Sequence, residues 1–370
     1  MARSREPVCG GTNSKGNARA VPSFTRIVVS KGETAVLMVI FGAGASYDSC
    51  SSFPPDSFPR HRIPDRPPLA KELFLSLDVF RVISQRYSRF QPLLPYLEEK
   101  ENVEEILEEF RIKADTDVEC RRQLLAIQYY LAGMISRSQA GWTNHTRGAS
   151  NYKTLLDQVR PCSRVCFVTF NYDTLMDGAL QSVDVPMAKI SDYTAHSKNS
   201  LIKPHGSVDW QLWIPRIGTG VDPYQEPSAE AMILAAPIIG DRFIIEKARH
   251  TPRQTKTELY FSLPALAIPT VSKQTFLCPK EHVDALARLI PDVTKIAIVG
   301  WRAGEKHFLK MLKDGLTRTV PVIAACGSAE ARAETYPRIA EAGIPAYFND
   351  SANGGFTDFV VNRRIEPFLA

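Results

Sequence analysis

Four nearly continuous apolar runs, each followed by a glycine-rich or polar turn, constrain the fold of this chain more than any other feature. They lie at residues 35–41, 164–170, 295–301 and 320–325. Such runs are typical of central strands in a parallel sheet, because both faces of these strands are buried. Segments with helical spacing lie between them. The alternation predicts an α/β fold, a Rossmann-like doubly wound parallel sheet with a mostly helical insertion.

The segment between the first two runs carries the pattern of several helices. Residues 47–67 are rich in Ser, Pro, Asp and Arg and predict a long loop, after which Pro67-Pro68 favours a helix over Leu69–Leu77. Helical spacing recurs farther along: 102–113, 119–138 and 152–159. We therefore expect a helical insert at about 68–160 within a domain that covers 35–370.

A second insert is expected at about 208–290. Prolines and glycines interrupt this stretch, which predicts irregular structure with one strand near Arg242–Ile245. After it, the helical patterns at 305–315 and 330–342 and a short strand at 346–349 complete the predicted alternation.

The N-terminal segment differs in charge from the rest of the chain. Residues 1–34 carry six basic and two acidic side chains, a net charge of +4, so about +1 of the formal +5 remains for residues 35–370. A basic, acid-poor start is compatible with a transit peptide, but its Gly, Pro and Asn content disfavours an amphipathic helix and favours a disordered basic tail. The nearly neutral body shows no basic stripe, so nucleic acid is not indicated as a partner.

Composition narrows the class of protein. The chain has 370 residues, enough for a large core, and no apolar run reaches the roughly 18 residues of a membrane-spanning helix. Its seven cysteines are scattered and odd in number, which disfavours a disulfide framework. Cys162 and Cys166 form the one close pair, whereas a structural zinc site needs two pairs or a pair with histidines. We expect a cytoplasmic protein with no membrane contact and no bound metal.

The turn after the first run, Gly42-Ala43-Gly44-Ala45-Ser46, has the composition of a phosphate-binding loop. Glycines let the backbone approach a pyrophosphate, and backbone N–H groups can donate to it. The usual dinucleotide fingerprint has a third glycine where this chain has Tyr47. The alternative is a tight strand–loop connection that binds no ligand.

Polar side chains follow the second run at Asn171-Tyr172-Asp173. The amide of Asn171 has donors and an acceptor, so it can hydrogen-bond ribose hydroxyls or position a water molecule. The alternative is an Asx-turn that caps the predicted helix Thr174–Leu180. Farther on, His205 is flanked by glycine and serine and can take a proton from water or a ribose hydroxyl. Its alternative is a surface or core histidine without a catalytic role.

These turns share a place in the predicted sheet. Residues 42–48, 171–173, 205–207 and 300–307 each lie at or near the carboxyl end of a strand. Ligands of doubly wound sheets bind at that edge.

The order of the motifs resembles the sirtuin superfamily, and within it the bacterial sirtuin-like NADase branch. The resemblance spans about residues 35–350 and is carried by five motifs: Gly42–Ser46, Pro67-Pro68-Leu69-Ala70, Phe170–Asp173, Lys203–Ser207 and Val299-Gly300-Trp301. It implies a Rossmann-like site with NAD+ as substrate and no metal. It implies catalytic roles for Asn171, which would orient ribose and water, and for His205 as base. The cofactor-binding residues would be Gly42, Ala43, Gly44, Ser46, Asp173, Gly206, Ser207 and Gly300.

The chain departs from the sirtuin pattern in two places. Sirtuin deacylases insert a zinc module with two Cys-x-x-Cys pairs after the catalytic histidine, whereas residues 208–290 contain only Cys278. Their acyl-lysine groove borders that module, so its absence favours water as the acceptor. At the fourth turn, Arg302 stands where Ser or Thr is usual, and Glu305 where the NADase branch often has Asp.

The resemblance implies an NAD+ hydrolase that cleaves the nicotinamide–ribose bond, acting as a regulated, NAD-depleting effector of anti-phage defence. Because unrestrained NAD cleavage would be toxic, we expect a homo-oligomer or a regulatory protein partner. One alternative is an NAD-dependent protein deacylase or ADP-ribosyltransferase. Another is a non-catalytic sensor subunit for NAD or ADP-ribose, although the presence of both Asn171 and His205 favours catalysis.

Overall fold

Six parallel strands form the central sheet of the computed structural model, which describes residues 35–75, 78–98, 103–215, 228–238, 244–248, 260–270, 276–349 and 354–370. The tail predicted to be disordered, residues 1–34, lies outside the described residues. The strands are β1 (Val36–Phe41), β2 (Arg164–Thr169), β3 (Asn199–Ile202), β4 (Gly206–Pro215), β5 (Ile244–Lys247), β6 (Tyr260–Leu266), β7 (Val293–Val299), β8 (Val320–Ala325) and β9 (Ala346–Phe348). The helices are α1 (Ala43–Tyr47), α2 (Asp78–Ser84), α3 (Leu94–Glu98), α4 (Val103–Lys113), α5 (Val118–Thr146), α6 (Asn151–Gln158), α7 (Leu175–Gln181), α8 (Asp192–Ala195), α9 (Ala229–Ala235), α10 (Lys280–Leu289), α11 (Lys306–Gly315), α12 (Ala329–Glu341), α13 (Gly355–Val361) and α14 (Ile365–Leu369).

The order of the parallel strands is β3-β2-β1-β7-β8-β9. Strand β1 pairs with β2 on one side and with β7 on the other, so that Val39 lies between Phe167 and Ala297. The strand order therefore reverses at β1, which is the arrangement of a doubly wound sheet. The predicted Rossmann-like α/β class is confirmed.

Strand β1 is buried on both faces, as its sequence predicts. Leu37, Val39 and Phe41 face a core shared with the helices that follow β1. The alternate residues, Val36, Met38 and Ile40, face a second core that includes side chains of α10 and α11. A strand with apolar residues on both faces has to be covered by helices on both sides, which is why the connections between the parallel strands are helical.

The described elements between β1 and β2 are helical. Helix α5 is the longest, with 29 residues, and it begins where the carboxylate of Asp117 accepts hydrogen bonds from the backbone N–H groups of Glu119 and Cys120. The helix predicted over Leu69–Leu77 is instead a single 3₁₀ turn at Ala70–Glu72. The Glu72 carboxylate accepts from both Leu69 N–H and the Arg60 guanidinium, at 2.8 and 2.9 Å, and these contacts stabilise the turn.

Two buried arginines organise the long loop at 47–67. The Arg66 guanidinium donates to the carbonyls of Tyr47, Phe53 and Phe58 and lies over the Trp142 ring at 4.6 Å. The carbonyl of Arg66 in turn accepts from the Arg60 guanidinium at 2.7 Å. This loop has no regular structure, as expected, but its carbonyl groups are fixed by side chains.

The second insert differs from its prediction. Its described parts contain an antiparallel sheet in the order β5-β4-β6. In β4, Trp210, Leu212 and Ile214 occupy alternate positions along the strand, and all three belong to the core that the helices after β1 also share. The alternation of apolar and polar residues in β4 is visible in the sequence. Its partner strands, however, lie far along the chain between prolines and glycines. Whether this segment forms a strand depends on pairing with them.

Among the described residues, no helix combines the length and apolarity needed to cross a bilayer. The same residues contain no cluster of three or more His, Cys, Asp or Glu side chains suited to a metal ion. The six described cysteines form no disulfide bonds.

Candidate active site

A cavity of about 1630 Å³ opens at the carboxyl ends of β1, β2, β7 and β8. Strand β1, where the strand order reverses, lies at its centre, and ligands of doubly wound sheets bind at this point. Eight of the ten residues predicted for the site line the cavity: Gly42, Ala43, Gly44, Ser46, Asn171, Asp173, His205 and Gly300.

The glycines after β1 and β7 allow two turns to touch. Gly42 N–H donates to Val299 O at 3.1 Å, and Gly44 N–H donates to Gly300 O at 3.2 Å. Gly300 has a φ of +61°, and a Cβ atom there would lie 2.3 Å from Ala45 N. Packing between the turns therefore requires glycine here, whatever ligand the cavity holds.

These contacts correct the expectation that the loop after β1 offers a row of N–H donors to an anion. Gly42 and Gly44 donate to the strand-end turn of β7, and Ala45 N–H donates to Gly42 O at 2.9 Å. Among the described residues, none accepts a hydrogen bond from Ala43 N–H. An anion in the cavity can thus meet one amide of Gly42–Ala45, and its other partners have to come from elsewhere in the wall.

The orientation of the Asn171 amide is fixed by its partners. Nδ2 lies 2.9 Å from Gly42 O, and since a carbonyl only accepts hydrogen bonds, the amide nitrogen must point toward the β1 turn. Nδ2 also donates to Ser46 Oγ at 2.9 Å. None of the described residues donates to Oδ1. The side chain lines the cavity, so it presents Oδ1 there as a hydrogen-bond acceptor.

Ser46 connects three buried side chains. Its hydroxyl donates to Asp173 Oδ2 at 2.6 Å, accepts from Asn171, and lies 2.9 Å from the Tyr152 hydroxyl. A serine hydroxyl has one hydrogen and two lone pairs, so these three bonds saturate it. Ser46 therefore organises the cavity wall, and a ligand would have to displace one of these bonds to contact its hydroxyl.

Asp173 lines the cavity wall, and its carboxylate also accepts hydrogen bonds from two neighbouring groups. Its Oδ1 accepts from Leu175 N–H at 3.0 Å, so the Asx-turn at the start of α7 belongs to Asp173 and not to Asn171. Burial raises the pKa of the Asp173 carboxyl, while the ammonium of Lys203 and the hydrogen bond from Ser46 oppose that rise. Burial also raises the pKa of the Tyr152 phenol, which is neutral at ordinary pH.

His205 lies in the tight turn that joins β3 to β4. Its carbonyl accepts from Ala267 N–H at 2.9 Å, which fixes the turn against β6. The imidazole packs edge-on against Phe170 with the ring centroids 5.0 Å apart, and only 7% of the residue is exposed. The structure therefore places a buried imidazole, held by ring packing, in the same cavity wall as Asn171.

Gly206 and Ser207, which are predicted to bind the ligand, do not line this cavity. Gly206 has a φ of +83°, and a Cβ atom there would lie 1.9 Å from Ala265 O, so its role is the close approach of two strands. The Ser207 hydroxyl is fully buried and donates to Asp209 at 2.7 Å.

A buried ion pair stabilises the segment that leads into the His205 turn. The Lys203 ammonium is fully buried, 3.1 Å from Asp177 Oδ2, and it donates to Asp173 O at 2.6 Å. Asp177 also accepts from the Tyr193 hydroxyl. These bonds connect α7 with the segment that leads to His205.

The turn after β7 contributes an aromatic and an acidic side chain. The Trp301 ring stacks on Phe170 with the centroids 5.5 Å apart, and its Nε1–H donates to the Glu305 carboxylate. Glu305 is 6% exposed and lines the cavity. Arg302 lies at the rim, largely exposed, 3.6 Å from Glu334.

Helix α13 closes another part of the wall. The Asp48 carboxylate accepts from the backbone N–H and the hydroxyl of Thr357, at 2.8 and 2.5 Å. Asn151 donates to Asp48 O at 2.7 Å and to the Thr357 hydroxyl at 3.1 Å. Burial raises the pKa of the Asp48 carboxyl, and the bonds from Thr357 oppose that rise.

Sequence reasoning missed Tyr152 and Asp48. Tyr152 belongs to a helical pattern, where an aromatic residue indicates core packing. Asp48 begins a loop in which acidic residues are ordinary. The one available signal was that Asp48 is the first acidic residue after the glycine loop.

No protein-family model matches the chain, and no curated protein matches it. Solved structures of Sir2 proteins resemble it. A mutant Sir2 homologue in complex with ADP-ribose is 10% identical, with a TM-score of 0.35, covering 90% of this chain and 93% of that chain. A Sir2 enzyme structure is 12% identical, with a TM-score of 0.38 and coverages of 90% and 92%. A Sir2 complex with a peptide and NAD+ is 11% identical, with a TM-score of 0.35 and coverages of 90% and 94%. At these identities the likeness concerns the fold alone.

Proposed function

We propose that this protein is an NAD+ hydrolase that cleaves the nicotinamide–ribose bond to give nicotinamide and ADP-ribose. The observation that carries the proposal is the convergence of Asn171 Oδ1 and the His205 imidazole on one cavity at the switch point of the sheet. That cavity is larger than the 300–1,000 Å³ or so of a typical ligand pocket, which leaves room for a dinucleotide and water.

The chemistry needs few groups. Nicotinamide leaves as a neutral molecule from a cationic ring nitrogen, so no general acid has to protonate it, in contrast to ordinary glycoside hydrolysis. Positive charge develops on the ribose, and in this proposal the acceptor Oδ1 of Asn171 and the carboxylate of Glu305, both residues of the cavity wall, stabilise it. His205 then takes a proton from the attacking water. In this proposal Gly42, Ala43, Gly44, Asp173 and Gly300 shape the substrate pocket.

Nicotinamide release from NAD+, without any acylated peptide, tests the proposal. We expect Asn171→Ala and His205→Ala to reduce kcat by about 10²- to 10⁴-fold, the usual effect of losing a general base or an oriented polar group. Asn144→Ala and His61→Ala are matched controls, because both residues are exposed and lie outside the cavity wall.

Each other outcome identifies a different function. Turnover that requires an acylated peptide or transfers ADP-ribose to protein would replace hydrolysis with deacylation or ADP-ribosyl transfer. NAD+ binding without any nicotinamide release, at every protein concentration, would indicate a sensor subunit. Wild-type rates in both alanine variants would contradict the site assignment.

We further propose a biological role, which rests on the resemblance to the sirtuin-like NADase branch: a regulated effector that depletes NAD during phage infection. Restraint would come from self-association or a protein partner. Cells that express the wild-type protein should lose NAD after phage challenge, and cells with His205→Ala should not. Equal NAD levels in the two strains throughout infection would contradict this role.

A further inference from the structure

Tyr152 lies outside every motif of the sequence and outside the cavity wall, yet its hydroxyl contacts two residues of that wall, Ser46 and Asn171. It stands 2.9 Å from Ser46 Oγ and 3.4 Å from Asn171 Nδ2, and the residue is 1% exposed. Helix α6, which carries Tyr152, ends the helical insert and is not a strand-end turn. The site therefore depends on a helix, whereas the sequence motifs indicate only turns at the ends of strands.

The hydrogen atoms in this cluster can be assigned one by one. Gly42 O only accepts, so Asn171 Nδ2 donates to it, and the second amide hydrogen goes to Ser46 Oγ. The Ser46 hydrogen goes to Asp173 Oδ2 at 2.6 Å. Because the single hydrogen of Ser46 is then used, the Tyr152 hydroxyl has to be the donor in its bond with Ser46.

We propose that Tyr152 is a positioning residue, whose hydroxyl fixes Ser46 so that the Asn171 amide keeps its Oδ1 turned into the cavity. This inference rests on the proposed function, because it assigns Asn171 Oδ1 to the reacting ribose or water. Tyr152 itself acts through Ser46 and does not need to touch the substrate. Without its hydroxyl, one lone pair of Ser46 loses its donor, and both Ser46 and the Asn171 amide gain rotational freedom.

The ring of Tyr152 has a separate packing role. It lies edge-on to Phe41 and Phe356, with the ring centroids 5.1 and 5.2 Å apart. Tyr152→Phe keeps these contacts and removes only the hydroxyl, so it separates positioning from packing. Tyr129→Phe is the matched control, because the Tyr129 hydroxyl also donates a hydrogen bond but its acceptor is Ser262 O, at 2.8 Å, and not a residue of the cavity wall.

Two measurements on the full chain test the inference. For nicotinamide release, we expect Tyr152→Phe to lower kcat about five- to tenfold with KM changed less than twofold, as for the loss of one hydrogen bond in the transition state. The second measurement is ¹⁵N NMR of the side-chain amide of Asn171. The amide signal is assigned by its disappearance from the spectrum of Asn171→Asp. Tyr152→Phe should shift both amide hydrogens and speed their exchange with water, and Tyr129→Phe should change neither kcat nor these signals.

The outcomes separate this inference from the proposed function. A wild-type protein that releases no nicotinamide would contradict the proposed hydrolase, and the amide signals alone would then decide the role of Tyr152. Unchanged amide signals in Tyr152→Phe would overturn the inference whatever the enzymatic rate. In an active enzyme, an unchanged kcat in Tyr152→Phe would overturn it as well.

Discussion

Gly300 is the residue at which backbone geometry most directly shapes the cavity. Its positive φ is one that L side chains rarely adopt, and its Cα lies against the backbone of Gly44 and Ala45. The turns after β1 and β7 approach each other at this point and together form the floor beneath Asn171. A side chain here would have to push these turns apart, because rigid backbone and not a flexible side chain occupies the space.

We expect Gly300→Ala to lower the free energy of unfolding by about 3 kcal/mol, from left-handed backbone strain combined with overpacking. Urea unfolding measures this change. Gly178→Ala is the control: Gly178 lies in α7, and a Cβ atom there would meet nothing within 4 Å. It should raise the free energy by roughly 0.5 kcal/mol, since alanine favours a helix over glycine. Equal effects of the two substitutions would show that the close approach imposes no strain.

Asp173 predicts a pH dependence of stability. Burial raises its pKa in the folded protein above the unfolded value, so the folded state binds the proton more tightly. The stabilisation from that proton is complete below the unfolded pKa and is lost as the pH rises through the folded pKa. We expect the free energy of unfolding of Asp173→Asn to rise relative to wild type as the pH increases from the unfolded pKa to the folded pKa of Asp173. Chemical unfolding at a series of pH values measures this difference. The same substitution should lower the enzymatic activity. A constant difference between the two proteins over this interval would contradict the raised pKa.

Among the elements, α13 contacts the site through the carboxylate of Asp48. Asp48 follows α1 directly and binds the first turn of α13 through Thr357, and Gly355 lets the helix approach because a Cβ atom there would lie 2.7 Å from Asp48 Oδ2. The contact joins residues 309 positions apart in the chain. The wall of the cavity is thus completed by the C-terminal part of the chain.

Asp48→Ala should release α13. It leaves the N–H and hydroxyl of Thr357 without their acceptor, a loss of about 1–3 kcal/mol. Hydrogen exchange measured by mass spectrometry should show faster exchange over residues 355–361 than in the wild type, with little change in β1. Asp284→Ala removes a carboxylate from an exposed pair on α10 and should leave that exchange unchanged. Protection of 355–361 that survives in Asp48→Ala would show that apolar packing alone holds the helix.

At the scale of the whole molecule, the parallel and antiparallel sheets are joined by buried charge. The Lys203 ammonium follows β3 and pairs with Asp177 on α7, and the Lys247 ammonium of β5 lies 3.9 Å from the same carboxyl group. Lys247 also pairs with Asp209 on β4 at 2.5 Å. The turn that carries His205 runs directly between the two sheets, so these charges fix its place in the molecule.

We expect Lys203→Met to lower the free energy of unfolding by about 3–5 kcal/mol, because it removes the nearer and fully buried cation of Asp177 and leaves that carboxylate with only the more distant Lys247 ammonium. Adding Asp177→Leu should restore part of that loss, since replacing both charges removes the desolvation penalty as well. Lys280→Met, at an exposed pair on α10, should change the free energy by less than about 1 kcal/mol. A double variant less stable than Lys203→Met alone would contradict this account.

The local pattern of apolar residues was sufficient to locate every strand of the central sheet except β3. The apolar runs at β1, β2, β7 and β8 lie where predicted, because a strand buried on both faces needs no partner to be recognised in sequence. The edge strand β3 and the antiparallel strands β4 and β6 were missed, whereas β5 overlaps the strand predicted near Arg242–Ile245. β3 is only four residues long, and β4–β6 are stabilised by pairing with distant strands among prolines and glycines.

The sequence by itself determined which residues follow the strand ends, and so placed Gly42, Asn171, His205 and Gly300 at one edge of a sheet. The tertiary structure alone decided what their polar atoms do. The N–H groups of Gly42 and Gly44 donate to the strand end and turn of β7, and the Asn171 amide is oriented by the carbonyl of Gly42. Gly206 and Ser207 do not line the cavity. Tyr152 reaches Ser46 across 106 residues of chain. A hydrogen bond depends on distances of a few tenths of an ångström between segments remote in sequence, and no local pattern specifies such distances.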